Sequence, residues 1–510
     1  MGHTGPVNPN GLSRPTDAPA PAFIAEASAR PRRRTLARRT RIVATIGPAC
    51  DDAAVLGAMA EAGMDVARVP LAHGTLDDAI ARVRRIRAAL PGIGILADLP
   101  GPKVRSTPFG AGGVILVAGL ELDLAPAALA PASDARRVGV ALDGATEALE
   151  TGDLIAFGDG GVAVEVIGRD GAVAHAVVRS GGHLEGRPGV SLPDARLTLT
   201  TPTAEDLTAA LRLTEEGVEF IAVSFVRTAA DLEATRAVVG EGGPMLVSKI
   251  ETRDGVDHLE AILGASDAVM VARGDLGVRL PLEEIPHLQK KIIRDGVRFG
   301  LPVITATQML ESMITSAVPT RAEVTDVANA VLDGTSAVML SAETAIGARP
   351  ALVVETMDRI VRRTEADFDF DRWGAGLGLQ ELPGDASSPA RVTAAITGAG
   401  WRAAIEEDAA AIIACTRNGA TARSISRFRP KMSVLAATPL VATARQLQLS
   451  WGVETLVVRE STSTDDIVWY AVEAAVKAGH ASPGDVVVVL AGSPTESSPV
   501  TDTLRLVRVR

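Results

Sequence analysis

The chain has 510 residues, 47% hydrophobic and 22% charged, with a formal net charge of −11; that length implies roughly two to four domains rather than one core. The acidic balance argues against broad nucleic-acid or anionic-membrane binding, which need a basic surface, but not against a locally positive pocket. Cys50 and Cys415 lie far apart, which fits a reducing, cytoplasmic setting without disulfides, and no apolar run approaches the ~20 residues of a membrane span.

Residues 1–37 read as a disordered tail of Pro, Ala, Ser and Arg with no periodic apolar face. The arginines crowd between Arg30 and Arg41, either as a targeting or RNA-contact arm or as a solvated leader; the lack of a secretory apolar core favours the leader. Val- and Ile-rich runs then alternate with helical segments: Arg41–Ile46, Asp65–Val69, Ile93–Asp98, Phe220–Ser224, Met245–Lys249, Ala268–Ala272, Pro302–Ala306 and Ala337–Leu340. Eight such runs predict a closed (β/α)₈ TIM barrel, an α/β fold, over 38–104 and 193–370. Between them, residues 105–192 carry short apolar runs broken by Gly and Asp, such as Leu154–Ile167 and Ala172–Val178. They predict a β-rich insertion beside the catalytic face, placed to act as a lid. The Gly- and Pro-rich stretch 371–387 reads as a linker. A C-terminal α/β domain follows over 388–510, with strands at Ala411–Cys415, Ser433–Ala437, Thr455–Val458 and Val486–Leu490 and a helix at Thr464–Ala478.

Catalytic groups in such barrels stand where strands end at the upper face. Those ends carry Arg68, Asp98, Ser224, Lys249 with Glu251, Arg273 with Asp275, Thr307, and Ser341 with Glu343. Polar groups at so many successive ends are not explained by packing. Glu251 and Asp275 offer hard oxygen ligands from adjacent strands, which suits Mg²⁺ or Mn²⁺; histidine is absent there, which argues against Zn²⁺. Lys249 and Arg68 add fixed positive charge, so the site can neutralise a transferring phosphate or equally stabilise an enolate.

Several co-linear segments resemble the pyruvate kinase family: Thr45–Pro48, Ser248–Glu251, Met270–Gly277, Thr305–Met313, Pro319–Glu323, Asp326–Gly334 and Met339–Thr344. The resemblance runs from about Arg39 to the C-terminus. It implies transfer of the phosphoryl group of phosphoenolpyruvate to ADP, giving ATP and pyruvate, in a homotetramer. It also implies roles position by position. Glu251 and Asp275 match the metal ligands, Lys249 the lysine that steadies the phosphoryl group, and Arg68 and Arg105 the arginines that hold phosphates. The backbone at Arg273, Gly274 and Asp275, with the Thr307 hydroxyl, matches the substrate-carboxylate cradle, flanked by Ser224. Thr307 and Ser341 lie where a proton passes to the enol carbon. Pro48 and His73 would border the nucleotide, and Asp159 would be the closing lid residue.

The departures from the family pattern are local. Pro70 and Ala72 stand where the family's K⁺-binding Asn and Ser would be, and of the second pair only Asp98 remains, Leu99 having no oxygen to offer. Lys103 stands where K⁺-dependent members resemble one another in having Glu. A tethered ammonium can replace the charge of a monovalent cation, so activity without K⁺ is expected. Arg187–Gly189 replaces the adjacent lysines members tend to carry at the lid's end. Thr416, Asn418, Gly419 and Thr421 resemble a hydroxyl-rich turn that holds a phosphorylated effector, though the partner loop Ser493–Asp502 is acidic and lacks glycine. That turn reads either as an effector site or as a structural turn. Two other readings remain open: a metal-dependent lyase or aldolase acting on a pyruvate enolate, and a regulatory protein with little turnover.

Overall fold

The computed structural model describes residues 38–158, 160–193, 200–378, 388–492 and 500–510. The 1–37 tail, Asp159, most of the linker and residues 493–499 of the acidic loop lie outside the described residues.

Arg41–Thr45, Val66–Pro70, Gly94–Asp98, Phe220–Val223, Met245–Ile250, Ala268–Ala272, Val303–Ala306 and Ala337–Leu340 close into one parallel barrel, each strand pairing with the next and the last with the first. The runs are apolar throughout because both faces are buried. Inward side chains such as Val43, Val66, Leu96, Phe220 and Met270 form one cluster, and outward ones such as Ile42, Ile95 and Val269 pack under the helices. Leu449 of the C-terminal domain joins the inner cluster and plugs the barrel's lower mouth. Gly94 allows a close approach there: a Cβ would come within 3.1 Å of both the Arg445 carbonyl and the Phe220 ring, and one of them would have to give way.

The insertion leaves after Asp98 and is all β among the described residues, with a six-stranded sheet, a two-stranded sheet and its own apolar core. The run read as Leu154–Ile167 is two antiparallel strands, Leu154–Phe157 and Val162–Asp170, reversing at Gly158 and Gly160, both at positive φ. The C-terminal sheet has parallel strands Val453–Val457, Ser433–Thr438, Ala411–Cys415 and Val486–Ala491, then an antiparallel edge, Thr503–Arg508, not anticipated from sequence. The first part of the expected linker is instead helical, Phe370–Gly378. Phe370 packs on Trp451, and the Trp373 indole donates to the Arg427 carbonyl at 2.9 Å.

The arginines that open the barrel are not part of a solvated leader. Arg38 is buried against Asp65 (2.8 Å) and Asp358 (2.7 Å). Arg39 reaches the Pro430 and Lys431 carbonyls and lies over the rings of Phe370 and Trp451. Arg41 donates to the Ser450 carbonyl at 3.0 Å. Arg39 and Arg41 fasten the first barrel strand to the C-terminal domain, and Arg38 ties it to the barrel's own elements. No helix among the described residues is long and apolar enough to cross a membrane.

Candidate active site

Register brings the predicted strand ends together. Thr45 pairs with Arg68, Pro70 and Ala222 each with Asp98, Val223 with Ser248, and Ile250 with Val271. Arg68 donates to Asp98 at 2.7 Å and to Thr45 Oγ1 at 2.9 Å. Lys249 Nζ lies 3.2 Å from Asp98, 2.9 Å from Glu251 Oε1 and 2.6 Å from Ser224 Oγ, whose hydroxyl donates to the Leu99 carbonyl. Arg68, Asp98, Ser224, Lys249 and Glu251 thus form one buried chain of alternating charge and hydroxyl.

Electrostatics follow from this packing. Burial pushes the Asp98 carboxyl up, but Lys249 and Arg68 outweigh it and hold it below the usual carboxylate range. Burial opposes the Lys249 ammonium, yet Asp98, Glu251 and Asp275 together raise its pKa, so it stays charged. Glu251 is fully buried, and burial pushes its carboxyl up to about 7, with Asp275 adding to this and Lys249 opposing it. Its Oε2 accepts the Phe225 N–H at 2.8 Å. Its Oε1 touches the ammonium but lacks hydrogen-bond alignment with any donor, so a lone pair remains for a cation. Glu251 with nearby Asp275 therefore fits a hard divalent ion that completes its shell with water and substrate oxygens.

Phe225 and Thr45 were not anticipated as site-shaping residues, whereas Glu343 stood among the expected strand ends. Phe225 stands at φ 56 with its ring under the Arg279 guanidinium, 5.1 Å from the ring centroid. Gly101, at φ 65, makes room for it, since a Cβ there would lie 2.7 Å from the ring. Phe225 acts through a backbone N–H, which carries no sequence signal. Glu343 is fully buried and accepts the Ser341 N–H at 2.6 Å and the Leu310 N–H at 3.1 Å, tying the last two barrel loops together.

On the opposite wall the Gly274 N–H donates to Thr307 Oγ1 at 2.8 Å, and that hydroxyl donates to the Ala306 carbonyl. Thr307 is held at φ 68. The Arg273 side chain turns away, to Asp326 at 2.6 Å and the Thr307 carbonyl at 2.7 Å, leaving its backbone at the site. Ser341 Oγ is buried without a hydrogen-bond partner.

Arg105 donates to the Ala72 carbonyl at 3.3 Å and the Arg187 carbonyl at 3.2 Å, and pairs with Gly189 across the lid hinge. Ala72 and Arg187–Gly189 are therefore hinge residues. Lys103 is exposed and faces Gly189 rather than Asp98, whose ion-pair partners are Arg68 and Lys249. Its charge is still felt locally. Although His73 is exposed, partial desolvation and then Lys103, Arg105 and Arg68 lower its pKa. Pro48 is exposed on the loop after the first strand. The lid tip reaches the helix that carries Asp275: a Cβ at Gly160 would lie 3.0 Å from Val278.

The C-terminal turn satisfies itself. Thr416 Oγ1 accepts the Gly419 N–H at 2.9 Å, Asn418 caps the Ala420 N–H at 3.1 Å, and Thr421 is hydrogen-bonded to Thr501 at 2.6 Å. The residues predicted at the barrel rim converge, and this turn stands apart from them.

Comparison with known proteins adds the following. The family described as "Pyruvate kinase, barrel domain" matches residues 37–354, and "Pyruvate kinase, alpha/beta domain" matches 394–507. A pyruvate kinase of Sporosarcina psychrophila is 39% identical over 478 residues, covering 92% of this chain and 80% of the relative. Pyruvate kinases of Clostridium acetobutylicum (35% over 476 residues, 92% and 99%) and Mycobacterium tuberculosis (38% over 483 residues, 93% and 99%) are similar along their length.

Proposed function

The chain belongs to the pyruvate kinase family, a phosphotransferase that moves the phosphoryl group of phosphoenolpyruvate to ADP, and we propose that the buried Lys249 chain is where this transfer takes place. The observation that carries the assignment is Glu251: a fully buried carboxylate whose Oε1 has the Lys249 ammonium as its contact at 2.9 Å. Glu251 and Asp275 would hold Mg²⁺ or Mn²⁺. When bound, the ion supplies charge neutralisation at the phosphate and at the developing enolate.

The protein's own groups divide the remaining work. The Lys249 ammonium, fixed by Asp98 and Ser224, neutralises the equatorial oxygens of the phosphoryl group in flight, with no reorganisation at the moment of transfer. Arg68 and, from the lid hinge, Arg105 hold phosphate oxygens. The Gly274 N–H and the backbone beside it take the substrate carboxylate. Binding there takes the Gly274 N–H away from Thr307 Oγ1, and the Thr307 hydroxyl donates toward the enol carbon by turning its proton from the Ala306 carbonyl. The unbonded Ser341 hydroxyl lies on the same proton route. Pro48 and His73 border ADP, and closure of the lid on the Asp275 helix excludes water that would hydrolyse the phosphate.

Lys103 stands in for a monovalent cation by adding positive charge to the Arg68 and Arg105 corner, without coordinating Asp98. Pro70 and Ala72 then need not supply ligands, and K⁺ is dispensable. The protein works in the cytoplasm as a homotetramer. The C-terminal turn is read as a structural turn, a reading supported by the Gly419 N–H on Thr416 Oγ1 and the Thr421–Thr501 hydrogen bond.

A coupled assay of ATP formation from phosphoenolpyruvate and ADP tests the assignment. Turnover is expected with Mg²⁺ in a Na⁺-only buffer. An absence of turnover with either Mg²⁺ or Mn²⁺, with or without K⁺, contradicts it.

A further inference from the structure

At the floor of the barrel, where it meets the C-terminal domain, lies a cavity of about 10 Å³. Arg423, Arg427, Arg429, Ser426, Ser450 and Trp451 line it. Arg427 and Arg429 are only 7% and 2% exposed, and Ser450 is 2% exposed. Arg427 Nε, Arg429 Nη1 and Ser450 Oγ are buried with no hydrogen-bond partner.

The hydrogen bonds these two arginines do make go to neutral groups. Arg427 donates to the Arg298 carbonyl at 3.3 Å and Arg429 to the Gly334 carbonyl at 2.6 Å; Arg429 also stacks over Trp451 at 4.5 Å. Carbonyls and a π face solvate a guanidinium without cancelling its charge. The carboxylates within electrostatic reach are engaged elsewhere. Glu365, which faces Arg429, takes the backbone N–H groups of Arg39 and Thr40. Asp267, which faces Arg423, takes Arg236 and the Leu246 N–H. Burial accordingly pushes Arg429 down to about 9 and Arg427 down to about 10. Glu365 thus still offsets part of the Arg429 charge, whereas no carboxylate among the described residues offsets Arg427, and a buried cation without a counter-charge is strongly unfavourable.

We infer that this cavity is a binding site for a small inorganic anion, for which halide is the probe, held by Arg427, Arg429 and Ser450 as a charge-neutralising link between the barrel and the C-terminal domain. The space admits the centre of at least one water-sized sphere, enough for a small inorganic anion. Water alone would satisfy the donors but leave the charge. The inference is independent of the catalytic assignment.

The test has a crystallographic arm and a solution arm. Crystals soaked in sodium bromide should give an anomalous peak in the cavity, within hydrogen-bond distance of Arg427 and Arg429. In solution, replacing gluconate by chloride at constant ionic strength should raise the unfolding midpoint of the full chain by about 2 °C. Arg427→Met should flatten that response. If this variant does not fold, Ser450→Ala should weaken it instead. Ordinary water density in the cavity overturns the inference. So does a bromide peak with no chloride-specific shift, which would mean an adventitious ion only.

Discussion

The two ends of the barrel handle buried charge differently. At the upper rim Lys249 sits between Asp98 and Glu251, and Arg68 shares Asp98, so cations and carboxylates alternate. At the floor, Arg38 and Arg41 share Asp65, while Arg427 and Arg429 are held by carbonyls and aromatic faces. The rim is arranged so that an incoming ion and substrate complete it. The floor is arranged to fasten two domains together. Chemistry at the upper face and stability at the lower face is the division expected of this fold.

Substitutions at each end should separate these roles. Glu251→Gln removes a ligand at the rim and should weaken Mn²⁺ binding roughly 100-fold or more, since even outer-shell losses cost 10–100-fold; electron paramagnetic resonance titration reads this. An unchanged affinity would place the metal elsewhere. At the floor, Asp65→Ala leaves Arg38 and Arg41 short of a partner and should cost about 3 kcal/mol, seen as a lower urea midpoint. Its metal affinity should not move; if it does, the two ends are not separate.

The pH dependence of the rim has a definite sign. Burial raises the Glu251 carboxyl from 4.5 to about 7. Its contribution to stability of the metal-free fold is therefore fully present below pH 4.5 and lost as pH rises through about 7. Metal binding needs the carboxylate, so affinity should increase over the same interval, by up to ~10-fold per pH unit, with proton release. Calorimetry in buffers of different ionisation enthalpy checks this, and a flat profile would mean that Glu251 is already ionised. The smallest expected effect is that of K⁺: adding it to a Na⁺-only assay should change the rate by less than ~2-fold, well below the 1.4 kcal/mol of a tenfold effect. A large activation would show that the Lys103 charge does not replace the cation.

What was legible in the sequence follows the same division. The barrel strands could be located to within a residue because burial on both faces leaves unbroken apolar runs such as Ala268–Ala272. Side chains that act directly at the rim, Lys249 and Glu251 among them, stood at those strand ends. The backbone at Gly274 was anticipated only through the family resemblance, and the Phe225 N–H and the left-handed conformation of Thr307 did not appear. The Leu154–Asp170 hairpin read as one run because its turn is only a few residues long. Thr503–Arg508, a partly exposed edge strand, has no continuous apolar run to mark it. Arg38, Arg39 and Arg41 were misjudged because composition cannot tell a solvated arginine from one buried between domains.

Lys249 is the group that makes the rim a phosphoryl-transfer site rather than an enolate site, and Lys249→Met tests this most directly. Turnover and Mn²⁺ affinity should be measured on the same preparation. The expected result is a fall in kcat of at least about 10²–10³-fold, with Mn²⁺ affinity kept within a few-fold. Near-normal turnover, or loss of metal binding in parallel with activity, would contradict the assignment.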